Sequence, residues 1–241
     1  MLISETNISM CFSLWRRERF SAYGGKMSAV PEEILMSMYQ AETILTLITF
    51  PALDSLYSIT RNIPSPWTNS CGMGGSSGGS YGLYWSMPLS PGHYILLRTI
   101  LSLVSDIHLS SEALINIGNL MELETPIQLL FDSVRPFRDV RNFFTHLDEV
   151  LSEPDIHGVT GPIKTNCGIV YTDTAKGCRH LVLAGDKIHF TYRRGAKEVD
   201  IGKSAFNGIF ESARLIYAEL TSHKLNAEIC AHPPADSLYP L

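Results

Sequence analysis

Apolar and polar positions follow a helical period along most of this chain, and one segment separates them most cleanly. Placed on a helix at ~100° per residue, Phe137, Val140, Phe143, Phe144, Leu147, Val150 and Leu151 share an arc of roughly 140°. Arg138, Arg141, Asn142, Thr145, His146, Asp148 and Glu149 fill the opposite arc. A helix over 137–151 therefore builds a core with one side. Its other side gathers arginine, amide and imidazole.

Upstream, Pro31, Glu32 and Glu33 open a helix, with proline in the first turn and acids facing the positive end of the dipole. Apolar positions from Ile34 to Ile59 carry it to about Arg61, and Pro51 should kink or divide it by removing a hydrogen bond. A second helix runs over 91–107, with Leu97, Ile100, Leu101 and Val104 on one face. Ser110-Ser111-Glu112 resembles a cap that opens a shorter helix ending near Leu123. Thr125-Pro126 starts the helix leading into 137–151, and Pro136 bends it.

Beyond Pro154 the period falls to two. Segments 168–173, 178–184, 187–193 and 197–201 predict four short strands, with turns at Gly185-Asp186 and Arg194-Gly195. Alternation from Ile188 to Tyr192 predicts one wet and one dry face. A last helix starts near Lys203, with Phe206, Ile209, Phe210, Ala213, Ile216, Tyr217 and Leu220 as its stripe.

The expected fold class is α+β, mainly α. An antiparallel helical bundle carries a small four-stranded antiparallel β meander inserted before its last helix. Residues 1–30 show no clear period and contain Gly24-Gly25, predicting a disordered leader or an upstream start, with Met27 as the alternative initiator. Residues 31–222 are expected as a single domain, with a Gly/Ser/Pro-rich connector over 64–92 and the meander over 166–201. Residues 223–241, with Pro233, Pro234 and Pro240, are expected as a tail.

Composition narrows the function. Of 241 residues, 45% are hydrophobic and 18% charged, which predicts an ordered chain. A formal net charge of −5 argues against broad nonspecific nucleic-acid binding and leaves room for a local basic site. The five cysteines are scattered and lack CxxC spacing, which argues against a disulfide framework or zinc ribbon and favours a reducing compartment. No stretch reaches the ~18 consecutive apolar residues of a membrane span. The apolar run from Ile8 to Trp15 is followed, not preceded, by Arg16, Arg17 and Arg19, the reverse of a signal peptide. A cytoplasmic protein without a membrane partner is expected.

Several chemistries lack their residues. The glycine-rich run around Gly72–Gly79 has no Gly-Lys-Ser/Thr ending and no strand before it, so it is a connector rather than a phosphate loop. Gly75-Ser76-Ser77-Gly78 does not form a hydrolase elbow, which also needs a strand leading in. His180, His189 and Cys178 lie close in the predicted strands but fall short of a convergent metal ligand set, so no metal or cofactor is expected. Lys187, Arg193, Arg194 and Lys197 cluster at one hairpin. They suit either RNA phosphate or protection of a sheet edge.

Arg141-Asn142, followed by three residues and His146, resembles the motif of the HEPN superfamily: arginine, four to six residues, histidine, often with asparagine directly after the arginine. The surrounding Arg-Asn-Phe-Phe-Thr-His-Leu-Asp-Glu also resembles the version in many bacterial HEPN-like proteins. The resemblance implies a helical-bundle architecture over 31–222 and, in active members, metal-independent RNA cleavage at a site shared by two copies. On this chain it implies His146 as general acid or base and Arg141 as the stabiliser of phosphate charge. Asn142 would orient the histidine or the phosphate.

Arg138, one turn earlier on the same face, is added as a phosphate contact, together with Arg193 and Arg194. Arg141 and His146 lie ~140° apart around the axis, too far to pair on one helix. Chemistry there predicts a homodimer with the motif repeated across a two-fold axis. The resemblance also implies a separate antitoxin or nucleotidyltransferase partner, and a noncatalytic module for dimerisation, nucleotide binding or protein interaction as the alternative.

Overall fold

The computed structural model describes residues 5–21, 23–24, 30–63, 67, 91–146, 161–165, 168–172, 181–192 and 195–221. These residues are mainly helical with small antiparallel sheets. The helices are α1 (Glu5–Ser21), α2 (Glu32–Ile44), α3 (Phe50–Thr60), α4 (Pro91–Ile117), α5 (Glu124–Val134), α6 (Arg138–Thr145) and α7 (Asn207–Thr221). The strands are β1 (Gly161–Thr165), β2 (Gly168–Thr172), β3 (Leu181–Ala184), β4 (Lys187–Tyr192) and β5 (Gly195–Asp200). The chain divides into two compact units. One comprises 1–59, 103–135 and 207–241, and the other 60–102 and 136–206.

In the first unit, α1 replaces the expected disordered leader. Cys11, Phe12, Trp15 and Phe20 are buried, with the Phe12 and Trp15 rings 5.2 Å apart. The period was obscured because arginines alternate with these apolar positions. Distant acids match their charge: Arg16 pairs with Glu42 and lies over the Tyr39 ring at 4.2 Å. Arg19 reaches Glu122 at 2.8 Å and Glu219 at 3.4 Å. Partly buried ion pairs of this reach bring α1 to its neighbours, and no local pattern announces them.

Pro51 modifies the second helix without breaking it. A π-helical segment, Leu45–Thr49, joins α2 to α3, and the Phe50 N–H donates to the Leu45 carbonyl five residues back. A widened turn directly before a proline accommodates the missing N–H and the bulk of the ring. The Thr49 hydroxyl satisfies the Ile44 carbonyl at 3.3 Å.

The expected break at Ser110-Ser111 is absent, since α4 runs continuously from Pro91 to Ile117. Both hydroxyls donate backwards, Ser110 to Ile107 at 3.1 Å and Ser111 to His108 at 2.9 Å. Buried serines that satisfy themselves within a helix need not cap one. The helix stops at Gly118 and Asn119, both in the left-handed region with φ of 65° and 55°. In the same unit α5 buries Ile127, Leu130 and Val134, while α7 buries Ile209, Phe210, Ala213, Ile216 and Leu220. These facing stripes form the α5–α7 contact.

Continuity makes the helix from Pro91 longer than the 91–107 that the pattern suggested, while the one from Glu32 keeps about its expected extent. Glu32–Thr60 and Gly92–Ile117 are long and apolar enough, by length and composition, to cross a membrane. In each, 44% of the most apolar window is buried inside the protein itself. Apolar faces packed on protein give the same hydropathy as faces packed on lipid, so this composition is weak evidence for a span.

The second unit holds the strands. Among the described residues each of the four expected segments holds a strand, but they do not form one meander: β2 pairs with an additional strand, β1, and β3–β4–β5 form a separate antiparallel sheet. Gly161-Pro162 at the start of β1 disguised that strand, because glycine and proline both argue against strand interiors. The Gly185-Asp186 turn is as expected, with Gly185 at φ 61°.

Asp186 also anchors Trp67 of the connector. The Trp67 N–H donates to Asp186 Oδ1 at 3.2 Å, and Trp67 Nε1 donates to the Ile201 carbonyl at 3.0 Å. The Ile201 N–H returns to the Asp186 carbonyl at 2.7 Å. Trp67→Phe should cost about 1–3 kcal/mol by leaving a buried carbonyl unpaired. Chemical denaturation checks this; an unchanged midpoint would mean the indole bond contributes nothing. Residues 68–90 and 222–241 lie outside the described residues.

Candidate functional site on the Arg138–Thr145 helix

The sequence order Arg135-Pro136-Phe137 forms a tight 3-10 turn directly before α6. Aromatic contacts then fix it within its unit. Phe137 stacks on Phe206 with centroids 5.2 Å apart, and Phe143 meets Phe190 of β4 at 5.3 Å. Phe144 lies 5.9 Å from Tyr94. Val140 and Phe143 are buried, which matches the apolar arc expected for them. On a neighbouring edge Asp139 pairs with Lys197 of β5 at 3.0 Å. Sequence reasoning missed this pair, since nothing local links positions 58 residues apart.

The opposite face carries the expected polar groups. Arg138, Thr145 and His146 are exposed, and Arg141 and Asn142 are half-buried. Arg141 donates twice to one atom, Asn142 Oδ1, from Nε at 3.1 Å and from Nη2 at 2.8 Å. Asn142 thus orients the arginine, where the histidine or a phosphate was expected. Its oxygen being used, the polar hydrogens of the two side chains are all donors, a combination suited to an anion.

Helix α6 ends earlier than the pattern predicted. His146 is its C-terminal cap, with φ −106° and ψ 35°, and its N–H donates to the Asn142 carbonyl. That bond keeps the His146 backbone nitrogen in the helical ladder, so the ~140° offset from Arg141 is approximately retained. Thr145 turns its hydroxyl back to the Arg141 carbonyl at 3.0 Å, a bond that competes with regular continuation. Leu147, Asp148, Glu149, Val150 and Leu151 lie outside the described residues.

The basic hairpin divides differently from expectation. Lys187 pairs with Glu198 and Lys197 with Asp139, so both lysines serve contacts within the protein. Arg193 and Arg194 lie outside the described residues, as do His180 and Cys178. Among the described residues no three His, Cys, Asp or Glu side chains converge as a metal site.

His189 is the histidine the sequence undervalued. It sits on β4 opposite Glu198, only 6% exposed, with Nδ1 3.6 Å from Glu198 Oε2. Its Nε2 is buried without a hydrogen-bond partner. Burial pushes its pKa below the ordinary 6.5; Glu198 opposes that shift and Lys187 reinforces it. The neutral ring is therefore the form the fold favours. Its contribution to stability is present above the unfolded value and is lost as pH falls toward and through the lowered folded value. Melting midpoints measured from pH 7.5 to 5 should fall, and His189→Gln should flatten that slope. Parallel curves would place the acid sensitivity elsewhere.

Compared with protein-family models, curated proteins and solved structures, the chain matches none.

Proposed function

We propose that the chain is a HEPN-like, metal-independent endoribonuclease of the toxin or defence type, cytoplasmic and homodimeric. The supporting observation is the polar face of α6: an arginine oriented by Asn142, with an exposed histidine at the helix end, on a helix held by aromatic packing. In the proposed reaction one His146 takes the proton of a ribose 2′-hydroxyl, and the oxygen attacks the adjacent phosphorus. The bond to the 5′-oxygen breaks, and that oxygen regains a proton from the histidine of either copy. The products are a 2′,3′-cyclic phosphate and a free 5′-hydroxyl. Arg141 stabilises the charge on the five-coordinate phosphorus, and Arg138 holds a neighbouring phosphate. Arg193 and Arg194 are proposed as further phosphate contacts.

Incubation of the purified protein with RNA in excess chelator tests this reading. Cleavage that survives chelation and leaves cyclic-phosphate ends is expected; cleavage abolished by chelation would overturn metal independence. The second reading is a noncatalytic HEPN-like module that dimerises and binds a nucleotide or a separate protein, such as an antitoxin or nucleotidyltransferase. One observation favours it. The Nε–Nη2 edge of Arg141, well shaped for bidentate phosphate contact, is engaged by Asn142. Saturable nucleotide binding without RNA cleavage would select that reading.

A further inference from the structure

A second feature lies in the other unit, away from the motif in sequence. Where α4 ends and α5 begins, the left-handed Gly118-Asn119 turn leaves a cavity of about 470 Å³. Buried Leu114, Leu120 and Ile127 line it. Its lining also includes Ile115 and Leu129, which are 37% and 44% exposed. Ile115 and Leu129 thus extend the apolar lining of the hollow onto the surface.

Charge identifies the kind of cover. Between Arg98 and Arg135 the chain has no lysine or arginine, but it carries Asp106, Glu112, Glu122, Glu124 and Asp132. Glu124 lines the cavity directly. Gln128, also in the lining, donates to Asp132 at 3.2 Å, which keeps a second carboxylate beside it. Arg19 engages Glu122, so that acid is partly compensated. The rim is therefore negative and the floor apolar.

We propose that this groove docks a basic amphipathic segment of a partner protein, its apolar side chains entering the hollow and its Lys or Arg side chains meeting Glu124 and Asp132. Exposed Ile115 and Leu129 on the rim, beside the carboxylates of Glu124 and Asp132, suit a partner that presents apolar and basic side chains together, as an amphipathic helix does.

The probe is a fluorescein-labelled helix of about four turns built from leucine and lysine, compared with a scrambled peptide of the same composition but no apolar face. Fluorescence anisotropy is read at physiological salt against the full-length protein. The amphipathic peptide should bind at least about tenfold tighter than the scrambled one, a difference of ~1.4 kcal/mol. Leu129→Glu should weaken it about tenfold despite adding attractive charge, and Ile115→Ser should act in the same direction. Leu215→Glu, at an exposed apolar position of α7, should leave binding unchanged. Thermal melts identify which variants remain folded.

Equal binding of both peptides would reduce the interaction to charge attraction and overturn the proposal. So would equal weakening by Leu215→Glu. Binding of dodecyltrimethylammonium without binding of the peptide would make the groove a site for small cationic amphiphiles, which also overturns it.

Discussion

His146→Ala should lower RNA cleavage by about two to four orders of magnitude, the contribution of a positioned acid or base. The fold should be unchanged, because the side chain is exposed and stands at the end of α6. Its backbone N–H donates to the Asn142 carbonyl, and alanine retains that bond. Arg141→Lys should have a loss of similar scale for a different reason. Lysine keeps the charge but lacks the planar fork that Asn142 orients and that a bidentate phosphate contact needs. Initial rates on a labelled RNA, with circular dichroism as the control, decide both. Wild-type rates in both variants would remove the nuclease reading while leaving the fold description intact.

Phe143→Ala should have the largest effect on stability, about 3–5 kcal/mol. The ring is buried against Phe190 and meets Phe144 edge-on at 5.5 Å, so truncation opens a cavity between α6 and β4. At the usual scaling for a chain of this size, the midpoint would drop by roughly 6–20 °C. Phe144→Ala should cost less, because Phe144 is only half-buried. Differential scanning fluorimetry of the two variants gives the order directly. Equal shifts would mean that α6 is not held through Phe143.

The polar face of α6 was legible in the sequence, because a period of 3.6 separates Val140 and Phe143 from Arg138 and Arg141 within a few residues. The turn at Gly185-Asp186 was legible for the same reason: it depends on the local chemistry of two residues. What the sequence concealed depends on distant partners. Helix α1 was hidden because Arg16 and Arg19 interrupt its apolar stripe, and distant Glu42, Glu122 and Glu219 compensate their charge there. Ser110 and Ser111 resembled a cap because serine prefers that position, but inside α4 their hydroxyls find the Ile107 and His108 carbonyls.

At the site itself, the residue types were readable and their mutual arrangement was not. Asn142 was expected to orient the histidine or a phosphate, yet its oxygen lies within reach of its sequence neighbour Arg141. Asp139 had no assigned role until Lys197 was placed beside it. The burial of His189 was equally invisible. Alternation marked Ile188 and Phe190 for one face of β4, and all three residues are buried.

The central claim is that Arg141 of one copy works with His146 of another, and mixing two inactive variants tests it most directly. Arg141→Ala and His146→Ala are purified separately, combined, allowed to exchange subunits, and assayed on RNA. A shared site predicts that neither variant cleaves alone and that the mixture regains a substantial fraction of native activity, since each mixed dimer holds one intact pair. If the native protein cleaves RNA and the mixture stays as inactive as its components after confirmed exchange, the pair does not act across two copies, and the account is contradicted.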